Sequence, residues 1–139
     1  SLDNQNIENI ETIYNDINTL SFDSNKYDRI ICTAALQHFS EGEITNLFLN
    51  CHRWLKPQGK ILFTDIPDSE KKWAFFNNQS REESYFTSLS GNNFIIGTWI
   101  NSEWLKKLSK FAGFSQSRKI EQGTELVFSH YRYDFVAKK

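Results

Sequence analysis

The chain has 139 residues, with 16 Lys and Arg against 17 Asp and Glu and a formal net charge of −1. That balance excludes a general field for drawing in nucleic acid or an anionic membrane surface, and no apolar run approaches the roughly 18 to 20 residues of a membrane span. With 39% apolar and 15% aromatic residues, one soluble domain over residues 1–139 with its own core is expected.

Ser1 to Asn9 is polar and reads as a connector or the tail of an earlier helix. Glu8 to Tyr14 carries β-branched and aromatic residues and is expected as a strand. The turn-rich set Asn15-Asp16-Ile17-Asn18 stops it, and Leu20 and Phe22 lead on through Asp23-Ser24-Asn25. Tyr27 to Ala35 is then a short apolar run. Ser40 and Glu43 have the S-x-x-E spacing of a capping box, in which each side chain satisfies a backbone N–H at a helix start. Ile44, Leu47, Phe48, Cys51, Trp54 and Leu55 recur at three- and four-residue steps, one apolar stripe of a helix. Lys56-Pro57-Gln58-Gly59 breaks that helix, and Lys60 to Ile66 is a second apolar run. Strand, helix and strand make a βαβ unit, which implies parallel strands with both sheet faces covered. Ligands gather at the carboxyl ends of such strands, here Thr33 to His38 and Asp65 to Pro67.

Past Pro67, Asp68 or Ser69 is suited to cap a helix carrying Trp73, Phe75 and Phe76. The composition turns polar from Asn77 to Asn93, read as a mobile lid or irregular insertion reaching to residue 98. Phe94 to Trp99 is apolar and short. Asn101 or Ser102 opens a helix whose Trp104, Leu105, Leu108, Phe111 and Ala112 form one face, and Gly113 ends it. Two strand patterns close the chain, Ser115 to Ile120 and Val127 to Ala137, with Gln122-Gly123-Thr124 as turn material and an antiparallel pairing implied. Cys32 and Cys51 read as buried reduced thiols and fit a reducing, cytoplasmic setting. There is no C-x-x-C or other metal-ligand set.

Taken together, NDINTLSF (Asn15 to Phe22), YDRIICTAALQHF (Tyr27 to Phe39), RWLKPQGKILFTDIP (Arg53 to Pro67), AGF (Ala112 to Phe114) and YRYDFVAKK (Tyr131 to Lys139) resemble the class I S-adenosylmethionine-dependent methyltransferases of the small-molecule type. The family has these pieces in this order: a G-D-x-x-x-L segment, an F-D-x-V…L-x-H strand end, an L-K-P-G-G turn, a late A-G-F and a final β-hairpin. The resemblance implies a Rossmann-like α/β three-layer sandwich whose mostly parallel sheet is closed by an antiparallel C-terminal hairpin. The family's first two strands, its glycine-rich loop and its ribose-binding acid have no counterpart in this sequence. Gln58 stands where the family has the first glycine of its turn, a difference that matters only if the position needs positive φ.

The resemblance also assigns roles. Asp16 matches the position that accepts from the adenine amino group of S-adenosylmethionine, Ile17 the neighbour whose backbone reads the ring edge, and Thr33, with Ala34 beside it, the position lining the methionine portion. On the residues alone, an Asp in a turn such as Asp16 is more often just a turn former, and Thr33 a packing or capping residue. His38 lies just past the strand end, and its ordinary pKa of ~6.5 suits a general base; the plainer reading is that its ring packs at the helix start. Asp65, Tyr85 and Trp99 are candidates to line a substrate pocket. One metal-dependent branch has E-x-x-E-H where this chain has Ala34 and Gln37, so no metal is expected. Thr33-Ala34-Ala35-Leu36 differs from the D/N-P-P-Y of nucleic-acid amino-methyltransferases, which favours a small-molecule substrate. The rival from another class is a non-catalytic methyltransferase-like scaffold.

Overall fold

The computed structural model describes residues 9–93 and 96–139. Its centre is the expected crossover. β1 (Tyr27–Thr33) and β2 (Leu55–Pro67) run parallel, in register from Arg29 opposite Lys60 to Thr33 opposite Thr64. Between them lies α1 (Glu41–Trp54), opened by a complete capping box: Ser40 Oγ accepts from the Glu43 N–H, and the Glu43 carboxylate accepts from the Ser40 N–H at 2.7 Å. Its stripe of Ile44, Leu47, Phe48, Cys51 and Trp54 is buried. Leu55 ends the helix and already pairs with Tyr27, so residues 56–59 are looped out of the ladder before Lys60 resumes it. Within that bulge Gln58 sits at φ +67. The position does require left-handed backbone, which disfavours any side chain.

After β2, Asp68 is buried and caps a single 3-10 turn over Ser69–Lys71, accepting from the Glu70 N–H at 3.0 Å and from Lys119 Nζ at 2.8 Å. The turn continues into the short α2 (Lys72–Phe75). The segment read as a lid or irregular insertion holds a regular helix, α3 (Gln79–Ser90), started by Asn78 accepting from the Arg81 N–H at 3.0 Å. The Asn78 cap and the helix-tolerant Gln79, Arg81, Glu82 and Glu83 explain it. None of its residues is buried, so no apolar stripe announced it. α4 (Ser102–Ala112) starts at Asn101, which accepts from two N–H groups, and stops at Gly113 with φ +99.

The chain closes with β3 (Gln116–Glu121) and β4 (Arg132–Lys138), antiparallel to each other, and β4 is antiparallel to β2; the sheet order is β1-β2-β4-β3. Val127, expected to begin the last strand, lies instead in the connection and is exposed. There Leu126, Ser129 and Tyr131 each donate three residues back, a succession of turns in place of an extended strand. The strand expected over Glu8 to Tyr14 is also not formed by its described part, residues 9–14; Glu8 lies outside the described residues. Ile10, Ile13 and Tyr14 are exposed. β-Propensity is realised only against a partner edge and a packed face, and no described strand lies beside them.

α1 and α4 share one face of the sheet, over Cys32, Ile61, Phe63, Phe135 and Ala137. Phe48 stacks on Phe63 at 4.6 Å and meets Phe114 edge-on at 6.2 Å. On the other face Ile31, Leu62, Val136 and Arg118 align across the four strands, and Ile31 is 69% exposed. Among the described residues, helices therefore cover one face rather than both. No helix among them is long and apolar enough to cross a membrane.

Candidate active site

The parallel ladder ends abruptly. Ala34 donates to Thr64 O at 3.1 Å and is itself at φ +50, and Asp65 is at φ +59. Two non-glycine residues in the left-handed region, side by side at the carboxyl ends of β1 and β2, are strain of the kind that clusters at functional sites. Beyond Ala34 a single 3-10 turn over Leu36–His38 buries Leu36 and leaves His38 exposed. The Gln37 amide nitrogen lies 3.3 Å from His38 Nε2.

A second segment is clipped onto this turn. Thr98 donates its N–H to Gln37 O at 2.9 Å and its hydroxyl to Phe39 O at 2.9 Å. Gly97, at φ +90, passes so close that a Cβ would lie 2.2 Å from Gln37 O. Only glycine fits there, and its presence sets the approach of the 97–99 segment. Between that segment, the His38 turn, α2 and α3 opens a cavity of about 750 Å³, lined among others by Gln37, His38, Lys72, Tyr85, Thr98 and Trp99.

Three of the four substrate-side candidates thus meet in one cavity: His38, Tyr85 and Trp99. Asp65 does not join them. It lines a separate hollow with Gln122 and Asp134, where its N–H donates to Asp134 Oδ1 at 3.0 Å and Gln122 Nε2 donates to its carboxylate at 3.1 Å. Arg132 also donates to its carbonyl, at 2.6 Å. Asp65 is engaged with the hairpin. Lys72 and Gly97 escaped sequence reasoning; a glycine inside the short, largely apolar run 94–99 was the one signal for the close approach.

On the cofactor side, Asp16 is exposed and caps the 3-10 turn Ile17–Thr19, accepting from the Asn18 N–H at 2.9 Å. A polar chain ties this turn to the crest. Asn18 Nδ2 is 3.5 Å from Glu43 Oε1, and Glu43 binds the Ser40 N–H and hydroxyl directly after the His38 turn. The Ser40 N–H is the main reason the Glu43 carboxyl is held below its ordinary range. Ile17 packs beside Phe22 against the core, above an apolar hollow that Ile30 and Leu47 also line. Thr33 is exposed at the top of β1, with Ala34 half-buried next to it. An exposed carboxylate beside apolar walls can accept from the amino group of a flat heterocycle. Among the described residues no group of three or more His, Cys, Asp or Glu side chains could hold a metal ion.

A family described as "Methyltransferase domain" matches residues 1–59, the stretch that contains Asp16, Thr33, His38 and the whole of α1. Phosphoethanolamine N-methyltransferase of Plasmodium falciparum is 41% identical over 58 residues, 42% of this chain and 22% of that protein. Over its first 59 residues the chain is thus similar to methyltransferases. The solved structures agree on the methyltransferase fold. A Pyrococcus horikoshii protein covers 94% of this chain and 59% of its own at TM-score 0.65 and 21% identity. A methyltransferase from Methanosarcina mazei covers 90% and 65% at TM-score 0.60 and 16% identity. The chain spans about a fifth of the curated relative it matches.

Proposed function

We propose that the protein carrying this chain transfers a methyl group from S-adenosylmethionine to an O, N or C nucleophile of a small molecule held in the His38 cavity. The carrying observation is the position of that cavity. It opens against the turn that follows the carboxyl end of β1, with His38, Tyr85 and Trp99 in its wall. The name of the Plasmodium relative favours nitrogen as the acceptor atom. The residues fit one end of the cofactor: Asp16 would accept from the adenine amino group, the Ile17 backbone would read the ring edge, and Thr33 and Ala34 would flank the methionine portion.

When bound, the cofactor supplies a methyl carbon on a sulfonium that leaves as a neutral thioether. The chain's own work is alignment, exclusion of water and proton handling. Alignment alone reaches effective molarities of roughly 10⁵ M. His38 would take the proton that the nucleophile sheds, a contribution of about 10²- to 10⁴-fold. α3, packed against the cavity without a buried residue of its own, is placed to act as a lid. We place the protein in the cytoplasm, where Cys32 and Cys51 stay reduced; both are free and buried, and burial pushes the Cys32 thiol up to about 11.

Calorimetric titration of the full-length protein with S-adenosylhomocysteine tests the cofactor half of the reading. Micromolar affinity is expected, and no binding at millimolar ligand would favour the scaffold. His38→Ala tests the other half. Turnover near neutral pH should fall by at least ~30-fold with cofactor affinity changed less than about threefold; near-native turnover would reassign His38 to packing.

A further inference from the structure

Four features of the cavity wall have no role in the reading so far. The wall contains Lys72 but no Asp or Glu. Lys56, Lys71, Lys106 and Lys119 each pair with a carboxylate, whereas Lys72 makes no such pair among the described residues. Lys72 Nζ instead donates to the Tyr85 hydroxyl, which leaves that hydroxyl's own proton to be donated onward. The Trp99 indole N–H is buried with no acceptor among the described residues, although buried donors are as a rule satisfied. That indole N–H and the equally orphaned Gln37 Oε1 are both closed off from the cavity space, which leaves the Lys72 ammonium and the phenol it donates to as the donors the wall offers a ligand.

The aromatic wall narrows the choice of ligand further. Behind the lining residues Tyr85 and Trp99, Phe76 touches both rings and Trp73 touches Phe76 and Tyr85, and aromatic clusters commonly take up a cationic guest through their π faces. Here that role is already filled from within. Lys72 Nζ lies 4.3 Å from the Tyr85 ring centre and 5.6 Å from that of Trp73. A second cation at these rings would meet a like charge at close range, while an anion would meet an unneutralised one.

We infer that the small molecule taken by this cavity is anionic, its phosphate or carboxylate bound by Lys72 and Tyr85 while its nucleophile reaches toward His38. The inference rests on the methyl-transfer reading for the role of His38, but not for the anion site. Charge-assisted hydrogen bonds to an oxyanion are the stronger kind, and the half-buried ammonium is less screened than an exposed one.

Tryptophan fluorescence of the full-length protein, titrated with phosphoethanolamine, β-alanine and ethanolamine, reads the site without turnover. The two probes that add an oxyanion to the ammonium they share with ethanolamine should bind at least ~10-fold tighter than ethanolamine, and the tighter of them identifies phosphate or carboxylate as the group recognised. Lys72→Met should weaken the preferred probe by ~10-fold or more, Lys72→Arg should recover most of it, and Tyr85→Phe should give an intermediate loss. Equal binding of ethanolamine, or a Lys72→Met variant within about threefold of the parent, overturns the inference. S-adenosylhomocysteine affinity, measured on the same samples, separates the two ideas. Cofactor binding with no anion preference removes the anion site alone. Lys72-dependent anion binding with no cofactor binding keeps the site and removes the methyl-transfer reading.

Discussion

Gln58→Gly should make the protein more stable, against the usual cost of adding glycine. Gln58 is exposed and sits at φ +67 in the bulge that separates α1 from the main run of β2. An L-residue in that region carries roughly 1–2 kcal/mol of steric cost. Glycine removes it but gives back about 0.5–1 kcal/mol through the freer unfolded chain. The balance is a gain of ~0.5–1 kcal/mol. With an unfolding entropy of about 2.1 cal/mol/K per residue, the 139 residues convert this to a melting point ~2–3 °C higher. Gly59→Ala next door should do the reverse. Its Cβ would lie 2.7 Å from Lys56 O and 3.0 Å from Leu55 Cδ2, overpacking that costs about 1–3 kcal/mol. Urea unfolding followed by circular dichroism, with calorimetric melting, measures both. Gln58→Ala is the deciding control, because it trims the side chain but keeps the Cβ. If it stabilises as much as Gln58→Gly, backbone handedness is not the cause and the reasoning fails.

Asp68→Asn keeps the cap on Glu70 but removes the charge that faces Lys119 from a site only 1% exposed. Lys119 retains Glu121 at 2.7 Å, so the loss should be about 2–3 kcal/mol rather than the full cost of orphaning a buried charge; a shift in urea midpoint worth under ~0.5 kcal/mol would show the pair to be neutral. His52 sets a pH dependence. Its ring meets Phe114 edge-on at 5.1 Å, and burial, then the Lys139 charge, hold it below its ordinary value. The unfolded chain therefore takes up this proton more readily than the folded one. The contribution is complete above about pH 6.5 and is lost as pH falls through the folded pKa. His52→Gln should flatten the stability profile just below about pH 6.5, and an unchanged slope there would exonerate the ring. Glu43 and Glu121 are also held low by their hydrogen bonds, so their share is lost only below about pH 4.5.

The sequence made the crossover legible because three independent signals coincide there: the Ser40–Glu43 box, the stripe from Ile44 to Trp54, and the Pro57 break. α4 was equally open, with Asn101 before it and Gly113 after. α3 was hidden because none of its residues needs burial, so periodicity had nothing to record. The first strand was over-read, since β-branched residues at Ile10, Thr12 and Ile13 state only a preference that a neighbouring edge must fulfil. The same division runs through the site. His38, Tyr85 and Trp99 could be singled out as chemistry-bearing types near strand ends or an insertion. Lys72 could not, because a lysine within Lys71-Lys72 reads as surface until the fold turns Lys71 to Glu121 and Lys72 to the cavity. Asp65 followed the opposite course: its position was right for a pocket, but the bulge between Phe63 and Ile66 hands it to the hairpin.

Ala34 and Asp65 depart from the pleat within one rung of each other, and that fixes how high the shared β1–β2 ladder can rise. Neither residue keeps an extended backbone, so pairing stops at Thr33 and Thr64 whatever is written into the connections above. Lengthening or exchanging those connections would change what the platform receives without letting the platform climb into them.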